Sequence, residues 1–125
     1  MSARPYRVLV TGSRDWDDMD LVRDNLATTV YQNVPAIIVH GACPAGADAI
    51  ASWWVRQHRI IGLTEEAHPA NWRINGKRAG FIRNQHMVNL GADIVLAFIR
   101  NGSRGASHTA ALAEQAGIPV RRWTA

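Results

Sequence analysis

The feature that most constrains this chain is a glycine-punctuated turn between an apolar run and a helical segment. Ile37–Val39 is typical of a buried strand, and residues 49–58 have the pattern of a helix. Gly41 and Gly46 stand between them, where glycine permits a turn that a side chain would block and lets a ligand approach the backbone closely. A strand, a tight turn and a helix in this order point the free N–H groups of the helix N-terminus beyond the strand end, which favours an anion.

The spacing Gly41-x4-Gly46 is that of a P-loop, but the residues that follow differ. Ala47 and Asp48 occupy the positions where a P-loop has lysine and then serine or threonine, so the lysine that grips phosphate is absent. The pattern therefore predicts a nucleotide-binding turn without nucleoside-triphosphatase chemistry. Asp48 is placed either to accept hydrogen bonds from ribose hydroxyls or to cap its own helix, and the sequence leaves both roles open.

Length and composition indicate one domain over residues 1–125. The segment Met1–Tyr6 lacks the apolar core of a signal peptide, and no apolar run approaches the roughly 20 residues needed to span a bilayer. A single cysteine, Cys43, excludes an internal disulfide, so we expect a cytoplasmic protein without membrane association. The net charge of +4 fits an anionic ligand or a weak nucleic-acid surface and does not decide between them.

Strand and helix patterns alternate along the chain. The predicted strands cover residues 6–11, 36–39, 60–67, 94–99 and 118–123, with a helix after each of the first four. Right-handed crossovers between parallel strands place helices on both faces of a sheet. The sequence therefore predicts an α/β fold, a Rossmann-like three-layer sandwich with a central parallel sheet of about five strands.

Several local features refine this prediction. Asp15 and Asp17 are expected to cap the first helix, whose apolar residues are Leu21, Val22, Leu26 and Val30. Residues 68–76 are rich in proline, asparagine and glycine and are expected to form a loop. The helix over residues 77–90 is expected to bury Ala79, Ile82 and Leu90, and the last helix is expected to cover residues 107–116.

Three polar turns that contain glycine fall at the predicted carboxyl ends of strands. They are Gly12–Arg14, Gly41–Asp48 and Gly102–Gly105. Ligands of open parallel sheets bind at this edge, where the strand order reverses. Because the three turns come from distant parts of the chain and converge on one rim, the sequence predicts a site for a small phosphorylated ligand.

A set of motifs in a fixed order gives the chain a family resemblance. They are Val10-Thr-Gly-Ser-Arg14, His40-Gly-x4-Gly-Ala-Asp48, His68-Pro-Ala-Asn-Trp72, Gly76-Lys77, Gly80-Phe-Ile-Arg-Asn84-Gln-His-Met87 and Gly102-Ser-Arg-Gly105. The chain resembles the YspA/YpsA-related branch of the SLOG superfamily, which also includes the LONELY GUY phosphoribohydrolases and the DprA-type DNA-processing proteins. The resemblance spans nearly the whole chain and implies one SLOG-like nucleotide-binding domain over residues 1–125. For this branch, ligands such as ADP-ribose or NAD derivatives have been proposed; members are often bacterial or phage-encoded, and homo-oligomers are common.

The resemblance also implies a set of ligand-binding residues. They are Gly12, Ser13 and Arg14; His40, Gly41, Gly46, Ala47 and Asp48; Arg83 and Asn84; and Gly102, Ser103 and Gly105. One departure limits the transfer of activity. LONELY GUY enzymes carry Pro-Gly-Gly-x-Gly-Thr-x-x-Glu at the last loop, and here the position of that glutamate falls on Thr109. The nearest acid, Glu114, is more than a helical turn farther on, so the phosphoribohydrolase chemistry does not carry over.

The individual candidates each have a plainer interpretation. Arg14 is placed to grip a phosphate or to pair with Asp15 or Asp17 on the surface. Arg78 and Arg83 are five residues apart and do not share a helix face, so only Arg83, which carries the motif, is expected to reach the site.

Two further kinds of site are considered from the sequence, a cysteine nucleophile and a metal site. A Cys43–His40 nucleophile is conceivable, but no third residue to orient it is identifiable. The five histidines show no paired ligand spacing, so no metal or other cofactor is predicted.

The tryptophans divide between core and rim. Trp53 and Trp54 are adjacent, so one is expected in the core and the other outside it. Trp16 and Trp72 lie in rim loops, where each is placed to stack on a nucleobase or to cover the sheet.

Together these features predict recognition of a nucleotide-derived small molecule, and a sensor or signalling domain is one role that fits such binding. Backbone N–H groups of the second and fourth turns would hold phosphate, Arg14 and Arg83 would add charge, and Asp48 would meet a ribose. One alternative is a hydrolase of an N-glycosidic or phosphoester bond, with Asp48 as the candidate to position water. The other is a module that binds nucleic acid or a partner protein, which a steep salt dependence of DNA binding would reveal.

Overall fold

The computed structural model describes residues 4–125, so part of the segment considered for a signal peptide lies outside the described residues. Five strands form one sheet: β1 Tyr6–Gly12, β2 Ala36–His40, β3 Leu63–Ala67, β4 Ile94–Ile99 and β5 Val120–Thr124. All neighbouring pairs are parallel, and the strand order is β3-β2-β1-β4-β5. The strands are joined by α1 Met19–Tyr31, α2 Ala47–His58, α3 Trp72–Asn75, a 3-10 turn Gly76–Arg78, α4 Ala79–Leu90 and α5 Arg104–Gln115.

The helices cover both faces of the sheet. Val8 and Val10 of β1 pack with the buried side chains of α1 and α2, whereas Leu9 between them packs with those of α4 and α5. Successive side chains of a strand point to opposite faces, so a strand covered on both sides is apolar throughout. This arrangement confirms the predicted Rossmann-like three-layer sandwich.

The order of the strands places a crevice beside β1. The chain moves outward from β1 to β2 and β3 with α1 and α2 on one face. It then returns by α3 and α4 to β4, which pairs with the other side of β1. The strand order therefore reverses between β1 and β4, whose carboxyl ends meet at the pair Gly12 and Phe98.

Two helices begin earlier than predicted. Helix α2 begins at Ala47 instead of residue 49, and α5 begins at Arg104 instead of residue 107. Gly105 delayed the predicted start of α5, because glycine weakens a helix interior but is tolerated in an uncapped first turn. In α2, the sequence pattern assigns Ala47 and Asp48 to the turn motif, whereas the helix begins directly after Gly46. The segment predicted as a loop over 68–76 also contains α3, because the Asn71 side chain accepts a hydrogen bond from the Ile74 N–H at 3.1 Å and caps that short helix.

The predicted cap of the first helix is wrong. Asp18, not Asp15 or Asp17, caps α1 by accepting from the Leu21 N–H at 3.1 Å. An additional turn, closed by the Trp16 N–H donating to the Ser13 carbonyl at 3.1 Å, delays the helix start.

Part of the predicted core of α4 is also wrong. Ala79 is buried as expected, but Ile82 and Leu90 are 44% and 48% exposed. The buried side of α4 includes the polar Asn84, which hydrogen-bonds Arg83 and Gly105. Apolar spacing alone therefore assigned the wrong face. No helix within residues 4–125 has the length and apolarity required to cross a membrane.

Candidate functional site

A cavity of about 720 Å³ opens where the strand order reverses, between the carboxyl ends of β1 and β4 and the start of α4. Most of the ligand-binding residues expected from the sequence line it: Gly12, Ser13, Arg14, Gly41, Asp48, Arg83, Asn84, Ser103 and Gly105. Four others do not line it: His40, Gly46, Ala47 and Gly102. All three predicted turns thus contribute to the cavity wall, although some of their residues do not line it.

The two glycines beside β1 and α2 are required by packing within the protein. Gly46 has φ of +75°, and a Cβ there would overlap the carbonyl oxygen of Ser13. A Cβ on Gly12 would overlap the Cβ of Ala47, which is fully buried. The close approach that the P-loop-like spacing permits at Gly46 is therefore an approach of the first turn to the second, and not of a ligand to the backbone.

The loop N–H groups of the second turn, between β2 and α2, donate to side chains of the protein. The N–H groups of Gly41 and Cys43 donate to Oδ2 of Asp48 at 3.1 and 3.3 Å. The N–H of Ala42 donates to Nδ1 of His40 at 2.9 Å. The N–H groups of residues 41–43 are therefore engaged within the protein, whereas those of Ala47, Asp48 and Ala49 at the start of α2 have no partner among the described residues.

Asp48 is the residue that closes this turn. It lies in the first turn of α2 and does not cap the helix, whose N-cap is Gly46 with no side-chain bond, so the capping alternative is wrong. Burial raises the pKa of the Asp48 carboxyl, while the hydrogen bonds from the turn, and His40 when it is protonated, act in the opposite direction. Its Oδ2 holds the turn together, and within residues 4–125 its Oδ1 has no hydrogen-bond partner.

The fourth turn, between β4 and α5, also engages its loop amides, because the Arg100 N–H donates to Oγ of Ser13 at 2.7 Å and the Ser103 N–H donates to the Arg100 carbonyl at 3.2 Å. Ser103 is the N-cap of α5 but makes no side-chain capping bond, and the first backbone bond of the helix runs from Ser107 to Ser103 at 3.1 Å. The N–H groups of Arg104, Gly105 and Ala106 therefore have no partner among the described residues. Gly105 and Ala106 line the cavity, so the open end of the helix dipole borders it.

Arg83 brings a positive charge to the cavity without a carboxylate partner. Its Nη1 donates to the carbonyl oxygen of Gly41 and, at 3.2 Å, to that of His68, and its Nε donates to Oδ1 of Asn84 at 2.7 Å. The side chain is half-buried, and within residues 4–125 no carboxylate lies within ion-pair distance. Burial lowers the pKa of Arg83. The charges of Asp48 and Cys43 oppose that effect, and the charge of Arg14 adds to it. A guanidinium in these surroundings favours a bound anion.

Three further cationic side chains line the cavity: Arg14, Lys77 and Arg100. Arg14 is exposed and forms no ion pair with the described residues. Its proposed surface partner Asp17 instead pairs with Arg100 at 2.9 Å. Lys77 also lines the cavity, although sequence analysis assigned it no role. The Gly76-Lys77 motif contained the signal, but the 3-10 turn that places Lys77 there has no clear pattern of its own.

The aromatic residues separate into core and rim. Trp16 is 5% exposed, packs against Phe98 with ring centroids 5.5 Å apart, and donates from Nε1 to the Asp18 carbonyl at 3.1 Å. Trp16 therefore covers the sheet and is not available to stack on a ligand. Trp72 is 50% exposed and lines the cavity. Trp54 is in the core and Trp53 is outside it, as predicted for that pair.

The geometry rules out His40 as a base for Cys43. Nδ1 of His40 accepts the Ala42 N–H, and Nε2 lies 2.6 Å from Oε2 of Glu65. Both ring nitrogens are engaged, so none remains to accept a proton from the thiol. Within residues 4–125 no three side chains of His, Cys, Asp or Glu form a cluster suited to a metal ion.

A buried threonine stands at the position of the glutamate that LONELY GUY enzymes carry. Thr109 is fully buried, and its hydroxyl donates to the carbonyl of Gly105 at 3.1 Å. Glu114 pairs with Arg122 and does not line the cavity, as the sequence predicted when it placed that acid away from the site.

Comparisons with known proteins agree with these features. The sequence profile described as "YspA, cpYpsA-related SLOG family" (YAcAr) matches residues 6–74. The chain is also 44% identical over 117 residues to the Gene 61 protein of Mycobacterium phage D29, a match that covers 91% of this chain and 93% of that protein. No solved structure matches the chain.

Proposed function

Because the chain belongs to the YspA, cpYpsA-related SLOG family, we propose that it binds a nucleotide or nucleotide-derived ligand in the cavity between β1, β4 and α4. Membership of this family suggests a nucleotide-related function. The further step, from a nucleotide-related function to this cavity and these residues, rests on the chemistry of the cavity wall.

The observation that carries the proposal is the pairing of an uncompensated cation with open backbone donors in one cavity. Within residues 4–125, Arg83 is half-buried and bonded only to neutral oxygens, and the first N–H groups of α5 have no partner. Both border the same space, and burying either group without a partner is unfavourable. A phosphate group supplies the negative charge and the acceptor oxygens that both require.

The remaining wall suits the other parts of a nucleotide. Arg14 and Lys77 add positive charge, and the exposed face of Trp72 is available to stack on a base. Oδ1 of Asp48 is free to accept from a ribose hydroxyl. A cavity of about 720 Å³ is in the ordinary range for small-molecule sites and would hold a ligand of the size of ADP-ribose or an NAD derivative.

The other expected site residues contribute through the turns. Gly12, Ser13, Gly41 and Asn84 line the wall and would shape it around the ligand, and Ser103 and Gly105 would present the start of α5. His40, Gly46, Ala47 and Gly102 would act by holding the turns in place. We propose that residues 1–125 form one domain that works in the cytoplasm as a homo-oligomer with a sensing role.

Nucleic-acid binding is a second candidate, because one observation favours it. The segment from residue 68 to residue 92 contains no aspartate or glutamate. Arg73, Lys77 and Arg78 in that segment are exposed and form no ion pair with the described residues, and the exposed Trp72 directly precedes Arg73 in the chain. Unpaired cations next to an aromatic face are the elements of a single-strand binding surface.

Thermal melting tests the two candidates together. The protein is melted with AMP, ADP, ADP-ribose, NAD, cytokinin ribotides and a single-stranded oligonucleotide. A ligand at about 100 times its Kd stabilises by roughly 2.7 kcal/mol, which is a measurable shift in Tm. Arg83→Gln should abolish the shift, whereas the matched control Arg121→Gln, on exposed β5 away from the cavity, should keep it.

The outcomes separate the alternatives. A shift by one nucleotide that depends on Arg83 supports the proposal, and release of base or phosphate from that nucleotide on incubation would identify a hydrolase. A shift by the oligonucleotide alone, weakening steeply with salt, favours the nucleic-acid candidate. If no compound of the panel shifts the Tm, the proposed function is wrong.

A further inference from the structure

The turn between β2 and α2 needs to be held in its observed conformation. Ala42 has φ of +57°, in the left-handed region that residues with a side chain rarely adopt. Such a conformation persists only when surrounding contacts enforce it. Two side chains do so here: Asp48 accepts the N–H groups of Gly41 and Cys43, and His40 accepts that of Ala42.

The hydrogen bonds of His40 determine the position of its proton. Nδ1 accepts the Ala42 N–H at 2.9 Å, so this nitrogen carries a lone pair and no hydrogen. The ring proton is therefore on Nε2, which donates to Oε2 of Glu65 at 2.6 Å. His40 is 3% exposed, and Glu65 on β3 is the residue that fixes its tautomer.

This arrangement connects Glu65 to the cavity. The carbonyl oxygen of Gly41, adjacent to Ala42, accepts a hydrogen bond from Nη1 of Arg83. A change in the conformation of Ala42 would reorient the peptide group between the two residues, which contains that oxygen. The position of the Arg83 guanidinium therefore depends on the neutral ring of His40, although neither His40 nor Glu65 lines the cavity.

We propose that His40 and Glu65 are positioning residues that hold Arg83 ready for the anion by keeping His40 as the neutral Nε2–H tautomer. The proposal rests on the proposed function, because Arg83 is the residue assigned there to the phosphate. Protonation of His40 would put a hydrogen on Nδ1 facing the Ala42 N–H. The hydrogen bond would then be lost, the turn would relax, and the affinity for an anion would fall.

Other ionisable groups surround His40 and enter the test. Glu65 from β3, Asp48 and Arg56 from α2, and Cys43 from the turn share with it a smaller cavity of about 430 Å³. His68 is a second histidine near Arg83, since its carbonyl also accepts from Nη1 and its ring pairs with Glu66 at 2.7 Å. Any dependence on pH must therefore be assigned to one histidine by substitution.

The experiment follows the protein from about pH 8 to about pH 5, the range in which histidine ordinarily titrates. The ring nitrogens of His40, the Ala42 N–H and the Arg83 Nε–H are observed by ¹⁵N NMR, and affinity is measured for sulfate, which does not titrate in this range. We expect the Ala42 and Arg83 signals to move together with the protonation of His40. Loss of one backbone hydrogen bond should weaken sulfate binding about threefold to tenfold.

Asparagine at position 40 provides the decisive variant. In His40→Asn the amide oxygen can take the place of Nδ1 as acceptor but cannot titrate, so the variant should bind sulfate at pH 8 and lose the response to pH. The matched control His58→Asn, in the last turn of α2, should keep the response of the native protein. Glu65→Leu removes the acceptor for Nε2 and should displace the Arg83 signal already at pH 8. This second variant also keeps the proposal testable if His40→Asn does not fold.

Two results would overturn the proposal. One is a response to pH that persists in His40→Asn, particularly if it disappears in His68→Asn. The other is an Arg83 signal that is unchanged in Glu65→Leu. Absence of sulfate binding to the native protein at every pH would count against the proposed anion site, while the Ala42 and Arg83 signals would still decide the positioning role.

Discussion

The second and fourth turns of this protein look alike in sequence and differ in how the helix that follows each of them borders the cavity. Both carry glycine, both follow a strand of the same parallel sheet, and both lead into a helix without a side-chain cap. In the second turn, Asp48 and His40 occupy the N–H groups of residues 41–43. The first N–H groups of both following helices have no described partner, but Gly105 and Ala106 at the start of α5 line the cavity, whereas Ala47 and Ala49 at the start of α2 do not.

The difference shows that glycine spacing alone does not make an anion site. A turn can bind an anion only if its N–H groups are not already satisfied by the protein. The loop amides of the second turn hold the structure that positions Arg83, and the start of α5 is the helix end whose open donors border the cavity. Substitutions in the two turns should therefore have unequal consequences.

The largest expected difference concerns glycine. Gly46→Ala should destabilise the protein by about 3 kcal/mol or more, because φ is +75° and the new Cβ would overlap the Ser13 carbonyl. Gly102→Ala, at φ of +62° with no atom near the new Cβ, should cost only about 1–2 kcal/mol for the left-handed backbone. Urea unfolding of both variants measures the two values, and equal losses would contradict the distinction between the turns.

The second difference concerns the side chains at the two helix starts. Asp48→Ala should cost roughly 2–5 kcal/mol, because it leaves the N–H groups of Gly41 and Cys43 without an acceptor. Ser103→Ala should cost less than about 0.5 kcal/mol, because Ser103 makes no capping bond. Chemical denaturation decides the matter, and a Ser103→Ala loss as large as that of Asp48→Ala would show that the fourth turn is also held by its side chain.

The smallest expected effect is a difference in response to pH between two carboxylates. Burial raises the pKa of Asp48, so its contribution to stability is present below the ordinary pKa of 3.8 and is lost as the pH rises through the higher folded value. Hydrogen bonds from Arg7 and His68 lower the pKa of Glu66 to about 2, so its contribution is present above 4.5 and is lost as the pH falls towards 2. The free energy of unfolding of Asp48→Asn should therefore increase relative to that of the native protein as the pH rises.

Glu66 provides the comparison outside both turns. Glu66→Gln should cost about 1 kcal/mol at neutral pH, well below a full conversion of the shift, because a third of the side chain is exposed to solvent. That deficit should shrink between pH 4.5 and about 2. Unfolding free energies measured across this range test both signs, and a parallel response of the two variants would contradict the assigned environments.

Much of the fold could be predicted from the sequence because its signals are local. The β4 run Ile94–Ile99 and the alternation of strands with helices are sufficient to predict the sheet and the edge at which its strands end. The glycine-bearing turns marked where the strand ends converge. The entry of Arg83 rather than Arg78 into the cavity followed from helical spacing and the motif.

The features that the sequence did not predict depend on contacts between distant residues. The engagement of the residue 41–43 amides depends on how Asp48 and His40 point, and the tautomer of His40 depends on Glu65, which is 25 residues away. The polar Asn84 on the buried side of α4 misdirected the apolar pattern, so Ile82 and Leu90 were placed in the core. The burial of Trp16 likewise depends on Phe98 in another strand.

The most direct test of the account is an amide chemical-shift titration with sulfate and with the nucleotide that gives the largest shift in Tm. We predict that the N–H groups of Arg104, Gly105 and Ala106 move most and saturate with the binding curve, while those of Gly41, Ala42 and Cys43 move little. The largest changes at residues 41–43, with residues 104–106 unaffected, would contradict the account and would assign the anion to the second turn.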